Sequence, residues 1–225
     1  MWYSFCFYFL LFFIYSVIGW VIETIVCSCW AKKKVLNRGF LIGPYIPIYG
    51  TAALLMILFL SEYKSDIFVL FCMACVYASL LEYFTSFWME KLFHARWWDY
   101  SNEMFNINGR ICLKTMIPFG LLGILIFYVT NPFFLYFLSQ ISENILTIIC
   151  VVLVTVFLID MILSFQVLIH FRTLIASSKA KDKTDDIRNI MKEKIKKHRR
   201  IHLRLLNAYP LISKRINSFF KKIKL

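Results

Sequence analysis

The chain has 225 residues, 60% of them hydrophobic and 18% aromatic against 17% charged, and its mean hydropathy is +0.67. A water-soluble domain could not bury that much apolar surface, so the composition excludes a soluble globular protein and leaves a polytopic membrane protein. The formal charge of +13 is concentrated, with seventeen of the 26 Lys and Arg residues lying from Arg172 onward.

A helix needs about 20 apolar residues to cross the hydrocarbon core. Five runs are candidates, at residues 3–30, 44–61, 67–90, 112–130 and 146–170. They are continuous rather than alternating, which predicts helices and not barrel strands. The expected fold is therefore all-α: a polytopic membrane helical bundle of about five transmembrane helices over residues 1–175. A basic amphipathic cytoplasmic tail over 176–225 follows it. The first run has no basic residue before it and is too long for a signal-peptide core, so it reads as a span that tilts or protrudes.

The first run carries Glu23, with Gly19 and Ser16 four and seven residues before it and Lys32 nine after. At 1.5 Å per residue, Glu23 sits about 13 Å inside its boundary lysine. A carboxylate at that depth is costly toward lipid, so it faces protein or a water-filled cavity. The connection to the second run is Asn37-Arg38-Gly39-Phe40-Leu41-Ile42-Gly43-Pro44-Tyr45-Ile46-Pro47-Ile48-Tyr49-Gly50. Gly43-Pro44 is turn chemistry, and Pro44 or Pro47 suits a first helical turn. Arg38 before a helix N-terminus makes an anion site for a phosphate or lipid head group; a plain structural turn is the other reading.

The third run repeats the first. Glu82 has Ala78 and Cys75 at the same offsets and Lys91 nine residues on. It too is followed by an arginine segment, Arg110-Ile111-Cys112-Leu113, and by Pro118-Phe119-Gly120, against Pro47-Ile48-Tyr49-Gly50 in the first half. Either residues 3–61 and 67–130 form a parallel repeat about an axis along the membrane normal, or the short match is coincidence. Cys72 and Cys75 form a CxxC, read as small residues in packed helices rather than a redox or metal site.

The loop after the third run holds Trp97, Trp98, Asp99, Asn106 and Arg110. The tryptophans suit an interface, and Asp99 is placed to take a bidentate bond from Arg110 or Arg38. The segment Asn131-Pro-Phe-Phe-Leu-Tyr-Phe-Leu either anchors in the interface or extends the fourth run. The fifth run carries Asp160, which either joins Glu23 and Glu82 or pairs with a polar group. Every basic loop falls on one side, which predicts the N-terminus outside and the C-terminus cytoplasmic. The tail presents apolar stripes at Ile187, Ile190, Met191 and Ile195 and at Ile212, Ile216, Phe219, Phe220 and Ile223. These suit the anionic cytoplasmic leaflet of the cell's inner membrane better than nucleic acid.

Three segments taken together resemble a known bacterial family: Ser16-Val-Ile-Gly-Trp-Val-Ile-Glu23, Asn37 to Gly50, and Trp98-Asp-Tyr-Ser101 with Phe105-Asn106 and Gly109-Arg-Ile-Cys-Leu113. The family is that of ABC-transporter permeases of the CmpB type, and the resemblance covers roughly residues 10–125. The chain departs from the pattern at Asn102-Glu103-Met104, where the family has a proline near Phe105. The resemblance implies a membrane subunit that moves a solute with a separate ABC ATPase. The chain has no Gly-x-x-x-x-Gly-Lys loop of its own, nor the Glu-Ala-Ala coupling segment of many importer permeases.

The leading expectation is thus a permease-like transport protein. Its path would be lined by Glu23, Glu82 and Asp160 and guarded by Asn37, Arg38, Asp99, Asn106 and Arg110, with no catalytic residue, metal or cofactor. An oligomer is open. The alternative is a membrane-embedded enzyme acting on a lipid or lipid-linked phosphate, with Arg38 and Arg110 as the phosphate clamp.

Overall fold

A computed structural model describes residues 1–31, 39, 41–93 and 96–177. Asn37, Arg38, His94 and the tail from residue 178 lie outside the described residues. Among the described residues every regular element is helical. Helix α1 is Trp2–Ala31, α2 Pro47–Phe59, α3 Ile67–Phe93, α4 Leu113–Leu125, α5 Asn131–Ser139 and α6 Glu143–Ser177. A 3-10 turn, Ser61–Ser65, joins α2 to α3. Four segments are long and apolar enough to cross a membrane: Trp2–Val26, Ile67–Leu92, Leu113–Ser139 and Glu143–Gln166. The all-α polytopic bundle is the fold.

Two elements differ from the simplest reading of the runs. The second run is helical only over 13 residues, about 20 Å, well short of the roughly 30 Å hydrocarbon core. The cause lies in its own sequence. Pro47 occupies the first helical turn, where its missing N–H costs nothing. Gly43-Pro44 keeps the preceding residues out of a helix. Residues 41–46 are therefore irregular, yet Leu41 and Tyr45 are buried. The fourth run is longer than expected. A π turn over Ile126–Thr130 carries α4 straight into α5. Pro132 lacks the N–H that an α-helical bond would use, and a local widening accommodates it. Residues 131–139 thus continue the fourth helical run, and Leu113–Ser139 as a whole is long and apolar enough to cross a membrane.

Packing pairs the helices by hairpin. α1 lies along α2 and α3 along α4, while α2 touches α3 and α6 closes against α1. One core cluster joins α1, α2, α5 and α6 through Cys6, Leu10, Leu11, Tyr15, Ala53, Leu138, Leu146 and Cys150. A second joins α2 to α3 through Met56, Leu60, Leu70, Ala74 and Ala78. The outward faces carry exposed aliphatic residues such as Ile148 and Ile162, as a lipid-facing surface requires.

Candidate functional site

The polar centre is built on one face of α3. Cys75, Ser79, Glu82, Ser86 and Glu90 recur every three or four residues, so they share a stripe. Cys75, Ser79, Glu82 and Ser86 are buried, Glu82 with 6% of its surface exposed. Glu82 Oε1 accepts a hydrogen bond from the Tyr100 hydroxyl at 3.1 Å, and Oε2 one from the Thr115 hydroxyl at 3.4 Å. Among the described residues no basic group pairs with it.

Tyr100 arrives from the loop between α3 and α4, whose shape is fixed by its own polar side chains. Asp99 Oδ1 accepts the Ser101 N–H at 3.0 Å and the Ser101 hydroxyl at 2.5 Å. The Asn106 amide donates to the carbonyls of Ser101 and Glu103, and its oxygen accepts the Gly109 N–H at 3.1 Å. The Tyr100 N–H donates to the Gly109 carbonyl at 2.8 Å. Gly109 has φ +66°, and a Cβ there would lie 2.4 Å from Ser101 Oγ, so only glycine suits the turn. Burial, and then the Glu82 carboxylate, push the Tyr100 phenol above its ordinary range, and the charge of Glu23 adds to the effect.

Glu23 is held from the other hairpin. Its Oε2 accepts the Tyr49 hydroxyl at 2.9 Å, and the Tyr49 ring lies against Gly19 and edge-on to Phe119, with centroids 6.3 Å apart. The two helix joints match in kind. Gly50 packs against Ser16 and Phe12; Gly120 packs against Cys75 and Phe71. Ser16 and Cys75 each precede their glutamate by seven residues, Phe12 and Phe71 by eleven. Gly19 meets Tyr49, and Ala78 sits in the cluster that Phe119 packs against.

Arg110 is 9% exposed, and its partner is an acid the sequence reading passed over. Its Nη2 lies 2.8 Å from Glu90 Oε2, and Nη1 donates to Ser86 Oγ at 3.4 Å. The guanidinium also sits over the rings of Tyr83 and Phe87. Arg96 meets the same Glu90 oxygen at 2.9 Å. Asp99 is therefore not the partner of Arg110. It lies 3.8 Å from Arg96 Nη1, and the Ser101 donors, followed by Arg96, hold its carboxyl below the usual aspartate range. Among the expected site residues, Asp99 and Asn106 shape the loop that delivers Tyr100.

Asp160 is engaged elsewhere. It accepts the Ile42 N–H at 2.8 Å, the Gly43 N–H at 2.7 Å, the Tyr45 hydroxyl at 2.5 Å and the Ser164 hydroxyl at 3.0 Å. These donors satisfy the carboxylate and hold the irregular segment ahead of α2, whose backbone has no helix of its own to bond within. Among the described residues no group of three or more His, Cys, Asp or Glu could hold a metal ion. Cys75 donates to the Met116 carbonyl at 3.3 Å, a packing contact between α3 and α4.

Sequence reasoning missed Tyr49, Tyr100, Thr115 and Glu90. Glu90 left a signal, since it follows Glu82 by two helical turns on the same face. Tyr100 left none, because its reach to Glu82 depends on the loop folding back.

Residues 10–165 match the model of a protein family described as "Putative ABC-transporter type IV", of the CmpB type. No curated protein and no solved structure matches the chain.

Proposed function

The chain belongs to the ABC-transporter type IV family of the CmpB type, and from that premise we propose that it is the membrane subunit of an ATP-driven transporter whose ATPase is a separate polypeptide. Its solute path runs past Glu23 and Glu82, with Tyr49 and Tyr100 as their hydroxyl donors. The single observation that carries this reading is Glu82: a carboxylate inside a membrane-spanning helix, 6% exposed, with two neutral hydroxyl donors. Leaving such a group in hydrocarbon costs several kcal/mol, about 2.5–3.5 even on permissive scales, and polar groups retained at that cost mark pathways.

The hairpins α1–α2 and α3–α4 serve as counterparts in this proposal. The recurring glycine joints support it, and so do the carboxylates at matching offsets. Asp160 acts as the anchor of the 41–46 segment rather than as a lining residue. Arg110, Glu90 and Arg96 form the closed end of the path. The same proposal places Asn37 and Arg38 at that end, the N-terminus outside, and the tail on an anionic cytoplasmic leaflet. The lipid-phosphate alternative finds less support, because Glu90 already neutralises Arg110.

The test compares cells lacking the chain, cells with it restored, and cells carrying Glu82→Gln at equal membrane level. Untargeted mass spectrometry of internal and external solutes reads the result. The solutes displaced by the deletion stay displaced with Glu82→Gln; full restoration by that variant removes the carboxylate from the path.

A further inference from the structure

The loop between α3 and α4 does not project beyond its helices. Arg110 is tied to Ser86 and Glu90, the Asn108 amide donates to the Tyr83 hydroxyl at 2.9 Å, and Tyr100 reaches Glu82. Tyr83 precedes the end of α3 by ten residues, about 15 Å of helix. The loop is therefore folded back along the last three turns of α3, at the level of the exposed Phe84, Trp88 and Leu92. Its tip exposes three apolar side chains, Met104 at 77%, Phe105 at 75% and Ile107 at 54%, alternating with the polar Asn102, Glu103, Asn106 and Asn108. Phe105 holds φ +54°, a left-handed backbone that a bulky side chain rarely adopts. That conformation is kept even though it leaves an aromatic ring uncovered.

We propose that Met104, Phe105 and Ile107 form a lipid-inserted anchor, seated among the phospholipid chains of the leaflet at that end of α3. Two observations select lipid as the occupant. Phe105 is three residues from Asn108, so it lies within roughly 11 Å of a group already tied to Tyr83. The tip is thereby held beside the part of α3 that carries the exposed Phe84, Phe87 and Trp88. The Lys91 ammonium sits over the rings of Trp88 and Phe87, at 5.3 and 5.9 Å, as a cation does above an aromatic girdle. The anchor would hold the loop, and so Tyr100, in register with Glu82. It stands whether or not the transport reading does.

The test places the photoreactive residue p-benzoylphenylalanine at position 105 of the full-length protein, and separately at 104 and at the exposed polar position 102. The protein is irradiated in its native membrane and in phosphatidylcholine vesicles containing phosphatidylglycerol. Intact-mass spectrometry reads the adducts. The expected product at 104 and 105 is a mass gain of one phospholipid, well above the yield at 102. Position 104 lacks the unusual backbone, so it carries the test if position 105 does not accept the larger side chain. A dominant adduct with another polypeptide or another part of this chain overturns the proposal, as does a lipid yield at 104 and 105 no greater than at 102.

Discussion

Asp160 is the residue whose removal should cost most. Asp160→Ala leaves two backbone N–H groups and the Tyr45 hydroxyl without their acceptor, and each buried unsatisfied donor costs about 1–3 kcal/mol. Tyr45→Phe removes one bond and keeps the other donors satisfied, so its loss should be about 1–2 kcal/mol. Thermal unfolding in detergent should therefore rank Asp160→Ala far below Tyr45→Phe, with the wild type highest; equal melting temperatures would deny the anchor. Tyr100→Phe takes the closer donor from Glu82 and should cost about 0.5–1.5 kcal/mol, as for a typical hydrogen bond. Asp99 makes a weaker, pH-dependent contribution. Its folded pKa lies below the unfolded value, so its stabilisation is present at neutral pH and is lost as pH falls through the depressed value. Asp99→Asn should lower the melting temperature slightly at about pH 7 and shrink the further drop seen near pH 3. Glu23, Glu82 and Asp160 were visible in the sequence because an acid inside an apolar run stands out. Their partners were not, because Tyr100 and Ile42 reach them across 18 and 118 residues of chain.

The helices show where period and punctuation suffice and where they fail. α1, α3 and α6 follow directly from long apolar runs. The shortness of α2 was latent in Pro47 and Gly43-Pro44, but run length alone extended it to residue 44. The continuity of α4 with α5 was one of two readings of an aromatic stretch, because Pro132 marks a stop in a plain α-helix and the π turn that absorbs it has no simple sequence signature. The joints between helices give a sharper test. A methyl group on Gly50 would lie 2.3 Å from the Phe12 carbonyl oxygen, a backbone atom, whereas at Gly120 the neighbours are the side chains of Cys75 and Phe71. Overpacking of this kind costs about 1–3 kcal/mol, and a side chain yields where backbone does not. Gly50→Ala should thus lower thermal stability more than Gly120→Ala, and Cys75→Ala should recover only the latter. If the hairpins are counterparts, Phe119→Tyr should offer Glu82 a hydroxyl as Tyr49 does for Glu23 and regain part of the stability lost in Tyr100→Phe. No recovery in the double variant's melting temperature would count against the pairing of the hairpins.

At the scale of the whole molecule, composition alone gave the class, and hydropathy gave the bundle. The polar centre was half legible: Glu23 and Glu82 stood out as acids inside apolar runs, and each accepts a tyrosine hydroxyl. That Tyr100 bonds Glu82 follows only from how the loop at 96–112 folds back. The arginine thought to clamp an anion is instead spent on Glu90, an exchange no spacing rule could assign. The account rests on a division of labour in which this chain supplies the membrane path and another polypeptide supplies ATP hydrolysis. The most direct measurement is to purify the chain gently from its native membrane and identify by mass spectrometry what accompanies it. The account predicts a stoichiometric ATPase that remains bound when Glu82 is replaced by Gln. A preparation that contains no stoichiometric ATPase would contradict it.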